Sequence, residues 1–224
     1  PSLFGSLPPQ QHGILTNPWQ PLPAEPPGLM DLIHQQGRTT AAVYSWEPLR
    51  DLSRPASLDF SYYHRHTDPE HDGRELELAA AAADNLVREE PAFTFLYIEL
   101  VDLIGHLSGW MSPAYLEAVS RADRALELVL DELEAAGLLE STALMVTADH
   151  GGHERWHGPL GPQDPSLPED HLIPLILSGA GVHKGQLLEQ PVSILDFAPT
   201  LAAWLGLPPP AAWQGSVLQE AFED

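Results

Sequence analysis

The chain contains no cysteine, which excludes disulfides and thiolate chemistry and leaves the compartment open. It is also poor in positive charge. Ten Lys and Arg stand against 32 Asp and Glu, a formal net charge of −22. Phosphate backbones are gripped by Lys and Arg, so non-specific binding to a nucleic-acid duplex is excluded as a role. The same field repels small anions at long range, and any phosphate site has to reverse it locally with cations. No apolar run reaches the roughly 18 residues of a membrane-spanning helix. No signal peptide is visible. The sequence starts at Pro1 rather than Met, so a leading segment is expected to precede it.

What remains is an ordinary globular composition. Hydrophobic residues make up 43% of 224, enough for one α/β domain over 1–224 with a real core. Pro1 to Gly28 reads as loop. Leu29 to His34 forms a short helix stopped near Gly37, and Thr39 to Tyr44 a strand. Leu49 to Gly73 has no clear period. Arg74 to Glu89 is a helix with Leu76, Ala79, Ala80, Ala83 and Val87 on one face. Phe93 to Leu100 is a strand. The best helix starts at the Ser112 cap with Pro113 in its first turn and ends at Gly137. Its apolar stripe is Tyr115, Val119, Ala122, Leu126, Val129 and Leu133. Strands at Thr142 to Val146 and Ile173 to Leu177 follow, separated by a Gly/Pro-rich loop from Gly151 to Pro168. Val192 to Leu205 is a final helix interrupted by Pro199. Alternating strands and helices imply a mainly parallel sheet sandwiched by helices.

Two strands each deliver an acid and a histidine at or just past their C-terminal ends. The first runs into Asp102 and His106, the second into Asp149 and His150, with His153 and His157 close behind. Open α/β sheets place their chemistry at that edge. Mixed Asp/His sets suit a divalent metal. Asp-His-Gly alone is a plain turn after a strand. Two acid–histidine pairs separated by a capped helix are harder to dismiss. Gly105 is expected to turn the backbone so that Asp102 and His106 face one point. Gly151-Gly152 is expected to take the chain out of the strand so that Asp149 and His150 can converge. A dinuclear site of this kind polarises a phosphoryl or sulfuryl oxygen and activates a nucleophile.

These residues resemble the alkaline phosphatase superfamily, specifically its type I phosphodiesterase/nucleotide pyrophosphatase branch. The matching pieces are Pro9 to Ile14, Asp102-Leu103-Ile104-Gly105-His106, Thr147 to Gly152, His157-Gly158, Pro168 to Pro174 leading to Gly179-Ala180-Gly181-Val182, and Val192 to Leu201. The resemblance implies an alkaline-phosphatase-like fold and two divalent metals, zinc or manganese. One would be held by Asp102, His106 and His157, the other by Asp149 and His150. It implies hydrolysis of a small-molecule phosphodiester or phosphomonoester through a covalent phospho-Thr or phospho-Ser. It places that nucleophile just upstream of Pro1, and the first strand with a further carboxylate upstream of that. No nucleophile is therefore expected within 1–224. Sulfatase and phosphomutase branches of the same superfamily are rivals, as is an inactive metal-binding module.

Other residues admit two readings. His153 stands to contact substrate or to be a bystander, and Glu99 to orient a ligating histidine or to be a plain strand glutamate. His171 rivals His157 as a ligand. His12 is expected to shape its turn. His64, His66 and His71, among charged neighbours, read as a solvated loop. Trp110 and Trp156 read as packing, with flanking of a flat leaving group as the alternative.

Overall fold

The computed structural model describes residues 1–17, 25–158 and 167–223. Two short helices, α1 (Ser2–Gly5) and α2 (Pro9–His12), lie in the segment expected to be loop. Helix α3 (Leu29–Gln35) leads to β1 (Thr40–Tyr44). Strand β2 (Phe60–Tyr63) follows, then α4 (Arg74–Glu89), β3 (Phe93–Tyr97), α5 (Leu100–Ser108) and α6 (Pro113–Ala135). The chain closes through β4 (Ala143–Thr147), α7 (Pro168–His171), β5 (Leu175–Gly179) and α8 (Phe197–Trp204). Among the described residues no helix is long and apolar enough to cross a membrane.

Strands β2, β1 and β3 form a parallel sheet in that order, with β1 in the middle. Period-two alternation divides their side chains between two layers. Ala42, Tyr44, Phe93, Phe95 and Tyr97 pack on Phe4 of α1, Leu29 and Ile33 of α3, and Ala198 and Ala202 of α8. Val43 faces the other way, onto Leu78 and Ala82 of α4. Helix α6 packs behind α4 through Ala79, Ala83, Ala125, Val129 and Leu133. A side chain such as Leu78, fully buried, contributes about 1.5–3 kcal/mol.

Several sequence expectations need correction. The buried face of α4 is Leu78, Ala79, Ala82 and Ala83, while Leu76 and Ala80 are exposed. Of the expected α6 stripe, Val129 and Leu133 are buried and Tyr115, Ala122 and Leu126 partly buried, but Val119 is exposed, and Ala118 and Ala125 are buried as well. In both helices small alanines let neighbouring backbones approach, and that close packing outranks side-chain size. Pro199 does not interrupt α8, because it lies in the first turn, where no helical N–H bond is lost. Strand β2 lies inside the stretch expected to be irregular, with Phe60 and Tyr62 more buried than Ser61 and Tyr63. Strands β4 and β5 pair antiparallel in a separate two-stranded sheet, so parallel pairing is confined to β1, β2 and β3. Of the loop expected over Gly151 to Pro168, residues 159–166 lie outside the described residues, as do 18–24 of the N-terminal segment.

Every residue of β1, which is paired on both edges, is buried. Every residue of β3 is only partly buried, and most of β4 is as well. Among the described residues each of these two strands has one edge without a hydrogen-bonded neighbour.

Candidate metal centre

The segments that follow β3 and β4 bring their side chains together, Asp102 from the first and His150 and His157 from the second. After Tyr97 the chain turns into α5, where Asp102 and His106 sit one helical turn apart on the same face. The expected tight turn at Gly105 is therefore a helix. Glycine is needed there for space: a Cβ would lie 2.9 Å from the Trp110 indole. After Thr147 the chain runs irregularly through Asp149 and His150 to Gly151 and Gly152. These glycines are also sites of close approach. A Cβ on Gly151 would come within 1.9 Å of the Glu169 carbonyl oxygen, and one on Gly152 within 2.2 Å of Trp110. The Gly151 N–H donates to the Asp170 carbonyl at 2.9 Å, which fastens the turn.

Asp102 Oδ1 is the centre of the group. It lies 3.5 Å from His106 Nε2, 3.9 Å from His150 Nε2 and 3.7 Å from His157 Nε2. It is buried and accepts no hydrogen bond. Two of the imidazoles have their tautomers fixed from behind. His106 Nδ1 is 2.9 Å from the Arg155 carbonyl, and His150 Nδ1 is 2.8 Å from the Gly151 carbonyl. A carbonyl only accepts, so each Nδ1 carries a proton and Nε2 is the atom turned toward Asp102. The carboxylate oxygen and the three Nε2 atoms thus face one another at 3.5 to 3.9 Å, longer than good hydrogen bonds. Asp102, His150 and His157 have ligand atoms within 4.8 Å of one another.

The rings are packed to hold this geometry. His150 stacks on His157 at 3.8 Å, and His106 lies 5.0 Å from His157 and 5.1 Å from Trp110. Burial holds His157 below the ordinary histidine pKa, helped by neighbouring His150, so its ring is kept neutral as ligation requires. Asp149 is more exposed, with Oδ2 3.8 Å from His150 Nε2. His150 Nε2 thus stands between two carboxylates, 3.8 Å from Asp149 Oδ2 and 3.9 Å from Asp102 Oδ1, and links the two expected ligand sets.

The neighbours fall into place around this group. Glu99 ends β3's exit, its N–H donating to Ser45 Oγ at 2.9 Å. Burial first and the nearby Asp102 charge second push its carboxyl up to about 7. No hydrogen bond joins its carboxylate to a site histidine among the described contacts. His153 Nδ1 pairs with Asp170 at 2.8 Å, so this ring props the turn. His171 is exposed and stands outside the group around Asp102. His12 shapes its turn as expected, accepting from the Ile14 N–H at 3.1 Å and meeting Ser2 Oγ at 3.0 Å. The Pro1 amine is largely buried, which lowers its pKa, and it feels the charge of Asp149.

A second acid–histidine cluster forms where a solvated loop was expected. The His66 side chain is fully buried, with Nδ1 3.0 Å from Asp72 Oδ1. Asp72, His66 and Glu75 also bring ligand atoms within 4.8 Å of one another. Here, however, Arg121 from α6 grips both Glu75 oxygens at 2.8 and 2.9 Å. Asp72 accepts from the N–H groups of Thr67, Asp68 and Arg74. The local sequence gave no sign of this, because Arg121 is supplied from far along the chain.

Comparison with known proteins bears on this geometry. The profile of the type I phosphodiesterase/nucleotide pyrophosphatase family matches residues 2–155. A 2,3-bisphosphoglycerate-independent phosphoglycerate mutase of Caenorhabditis elegans is 30% identical over 147 residues, 63% of this chain and 26% of that protein. The mutase of Laribacter hongkongensis is 31% identical over 119 residues, 53% of this chain and 22% of that protein. The chain therefore spans about a quarter of the length of these relatives. Among solved structures, the phosphonate monoester hydrolase of Silicibacter pomeroyi superposes with a TM-score of 0.66 at 16% identity, over 97% of this chain and 65% of that one. A 2-O GAG sulfatase superposes with a TM-score of 0.64 at 15% identity, over 97% and 62%. These structures share the fold. The chain belongs to the type I phosphodiesterase/nucleotide pyrophosphatase family.

Proposed function

We propose that this family member serves metal-dependent hydrolysis of phosphate esters, with Asp102, His106, His150 and His157 holding a divalent cation and Asp149 beginning a second site. The observation that carries this reading is Asp102 Oδ1, a buried carboxylate oxygen with no hydrogen bond, facing the Nε2 atoms of those three histidines. Imidazole nitrogen with carboxylate oxygen is a donor set suited to zinc or manganese. When bound, such cations polarise a phosphoryl oxygen and make a hydroxyl nucleophile more acidic.

The chain's own groups do the rest. His106 and His150 are held in their ligating tautomer by backbone carbonyls. The turn at Gly151-Gly152 fixes where His150 and Asp149 point. Ser2 faces His12 Nε2, which carries the ring proton because Nδ1 accepts from the Ile14 N–H, so His12 does not serve as its base and Ser2 is a poor candidate nucleophile. The nucleophile this reading needs is a Thr or Ser ahead of Pro1. A further strand bearing a carboxylate fits the open, half-buried edges of β3 and β4.

The test is turnover of bis-p-nitrophenyl phosphate, p-nitrophenyl phosphate and p-nitrophenyl sulfate by protein loaded with zinc or manganese and carrying the residues that precede Pro1. Phosphate-ester cleavage that Asp102→Asn abolishes supports the reading. Faster cleavage of the sulfate assigns the chain to the sulfatase branch. Metal binding without turnover of any of the three leaves a binding module.

A further inference from the structure

The geometry points to Trp156 as the residue that selects the leaving group, offering a stacking face to a flat ring. This rests on the phosphate-ester reading and goes beyond it by naming the class of ester. Trp156 is 47% exposed, although it lies in ring contact with two of the candidate ligands. Its indole is nearly parallel to the His157 ring, 17° between planes and 6.3 Å between centroids, and lies 6.0 Å from His106. A packing tryptophan buries its face; this one lies near-parallel beside a site histidine and leaves much of its surface to solvent.

The support beneath it is rigid. His153 and Trp156 exchange two backbone hydrogen bonds of 2.8 Å, closing a hairpin whose tip is Glu154 and Arg155. Glu154 adopts a positive φ of 45°, a conformation that costs energy for a residue with a side chain. The hairpin is then anchored twice, by His153 on Asp170 at 2.8 Å and by the Trp110 N–H on the Glu154 carbonyl at 2.6 Å. A ring held this firmly at the rim of a site stacks on a ligand without ordering cost. The Trp110 ring, 5.1 Å from His106 and 6.1 Å from His157, adds a second indole to this side of the group. An uncharged flat group, an aryl ring or a nucleobase, is the chemistry that fits.

Binding of phenylphosphonate and methylphosphonate to the zinc-loaded chain separates the two claims, since they share a head group and neither is hydrolysed. Calorimetric titration is expected to show phenylphosphonate binding about tenfold tighter, the scale of one aromatic stacking contact. Trp156→Ala should erase that preference and leave methylphosphonate affinity unchanged, and Trp156→Phe should restore part of it. In protein that also carries the residues preceding Pro1, the same variants should lose kcat/KM for phenyl esters but not for hexafluoroisopropyl esters, whose alcohol is comparably acidic but not flat. Methylphosphonate binding with no preference for the phenyl compound, or a preference that survives Trp156→Ala, overturns the platform alone. Failure of both compounds to bind overturns the phosphate-ester reading and the platform with it.

Discussion

Two clusters in this protein contain the same chemical parts and differ in one respect. Around Asp102 and around His66, carboxylates and imidazoles gather with ligand atoms within 4.8 Å of one another. In the His66 cluster the protein supplies its own cation: Arg121 meets Glu75 through two parallel hydrogen bonds, the strongest form of such a pair. The atom left without a partner there is a ring nitrogen, His66 Nε2. Around Asp102 no Lys or Arg pairs with the carboxylate among the described residues, and the atom left without a partner is a carboxylate oxygen. Burying an unpaired charge costs far more than burying an unpaired neutral group. Residue type alone therefore does not mark a metal centre. Charge balance separates the two: one cluster is a finished structural clasp, and the other, on the reading proposed above, is completed by a cation from outside.

The largest effect that sharpens this contrast is at the open cluster. Asp102→Asn or His150→Ala should lower metal affinity by more than about a hundredfold, the scale already reached when an outer partner of a ligand is removed. Inductively coupled plasma analysis after dialysis reads this directly. Arg121→Ala should do the opposite: metal content is retained, while unfolding in urea shows a loss of about 3–5 kcal/mol, because Glu75 is left buried and unpaired. Retained stability in that variant would break the contrast from the other side.

Acid gives the next effect. Burial alone would raise the Asp72 carboxyl, but the N–H groups of Asp68 and Thr67, with His66 and the Arg74 N–H, carry it down to about 2. A carboxyl lowered on folding stabilises above its ordinary pKa near 3.9, and that contribution is lost as pH falls toward 2. Asp72→Asn should therefore be less stable than the parent at pH 7, with the gap closing between about pH 4 and pH 2. Unfolding free energies measured across that range give the answer. The smallest effect is at Gly105. Alanine there gains about 1 kcal/mol of helix propensity but meets the Trp110 ring at 2.9 Å. Stability should change little. Metal affinity should fall, because Trp110 packs on His106 at 5.1 Å.

Much of this was legible in the sequence. Strands ending in acid and histidine announced Asp102, His106, Asp149, His150 and His157, because strand ends and metal-ligand residue types are local signals. The structure brings Asp102 together with the three histidines and leaves Asp149 at the margin; whether they ligate is the proposal under test. The Asp102–His106 spacing was misread as a turn, since Gly105 was taken for flexibility when it serves the close approach of Trp110. Helical i, i+4 spacing was the signal available there. His66 was misread because its neighbours Thr67, Asp68, Glu70 and His71 are exposed while it alone turns inward. Its burial goes with Asp72 held by backbone N–H groups and Glu75 paired with Arg121, and that cation comes from α6. Helix α4 was legible as a helix but not by face, since alanine-rich segments give little contrast between sides. Pairing of β4 with β5 was out of reach, because strand direction is set by the intervening loop and not by either strand.

The most direct test is zinc titration, by calorimetry against a competing chelator, of the parent chain beside Asp102→Asn and Asp72→Asn. The expected result is binding in the parent and in Asp72→Asn, and none or far weaker binding in Asp102→Asn. Equal zinc affinity in the parent and Asp102→Asn, or loss of zinc with Asp72→Asn while the fold is intact, would contradict the assignment of the open cluster as the metal centre.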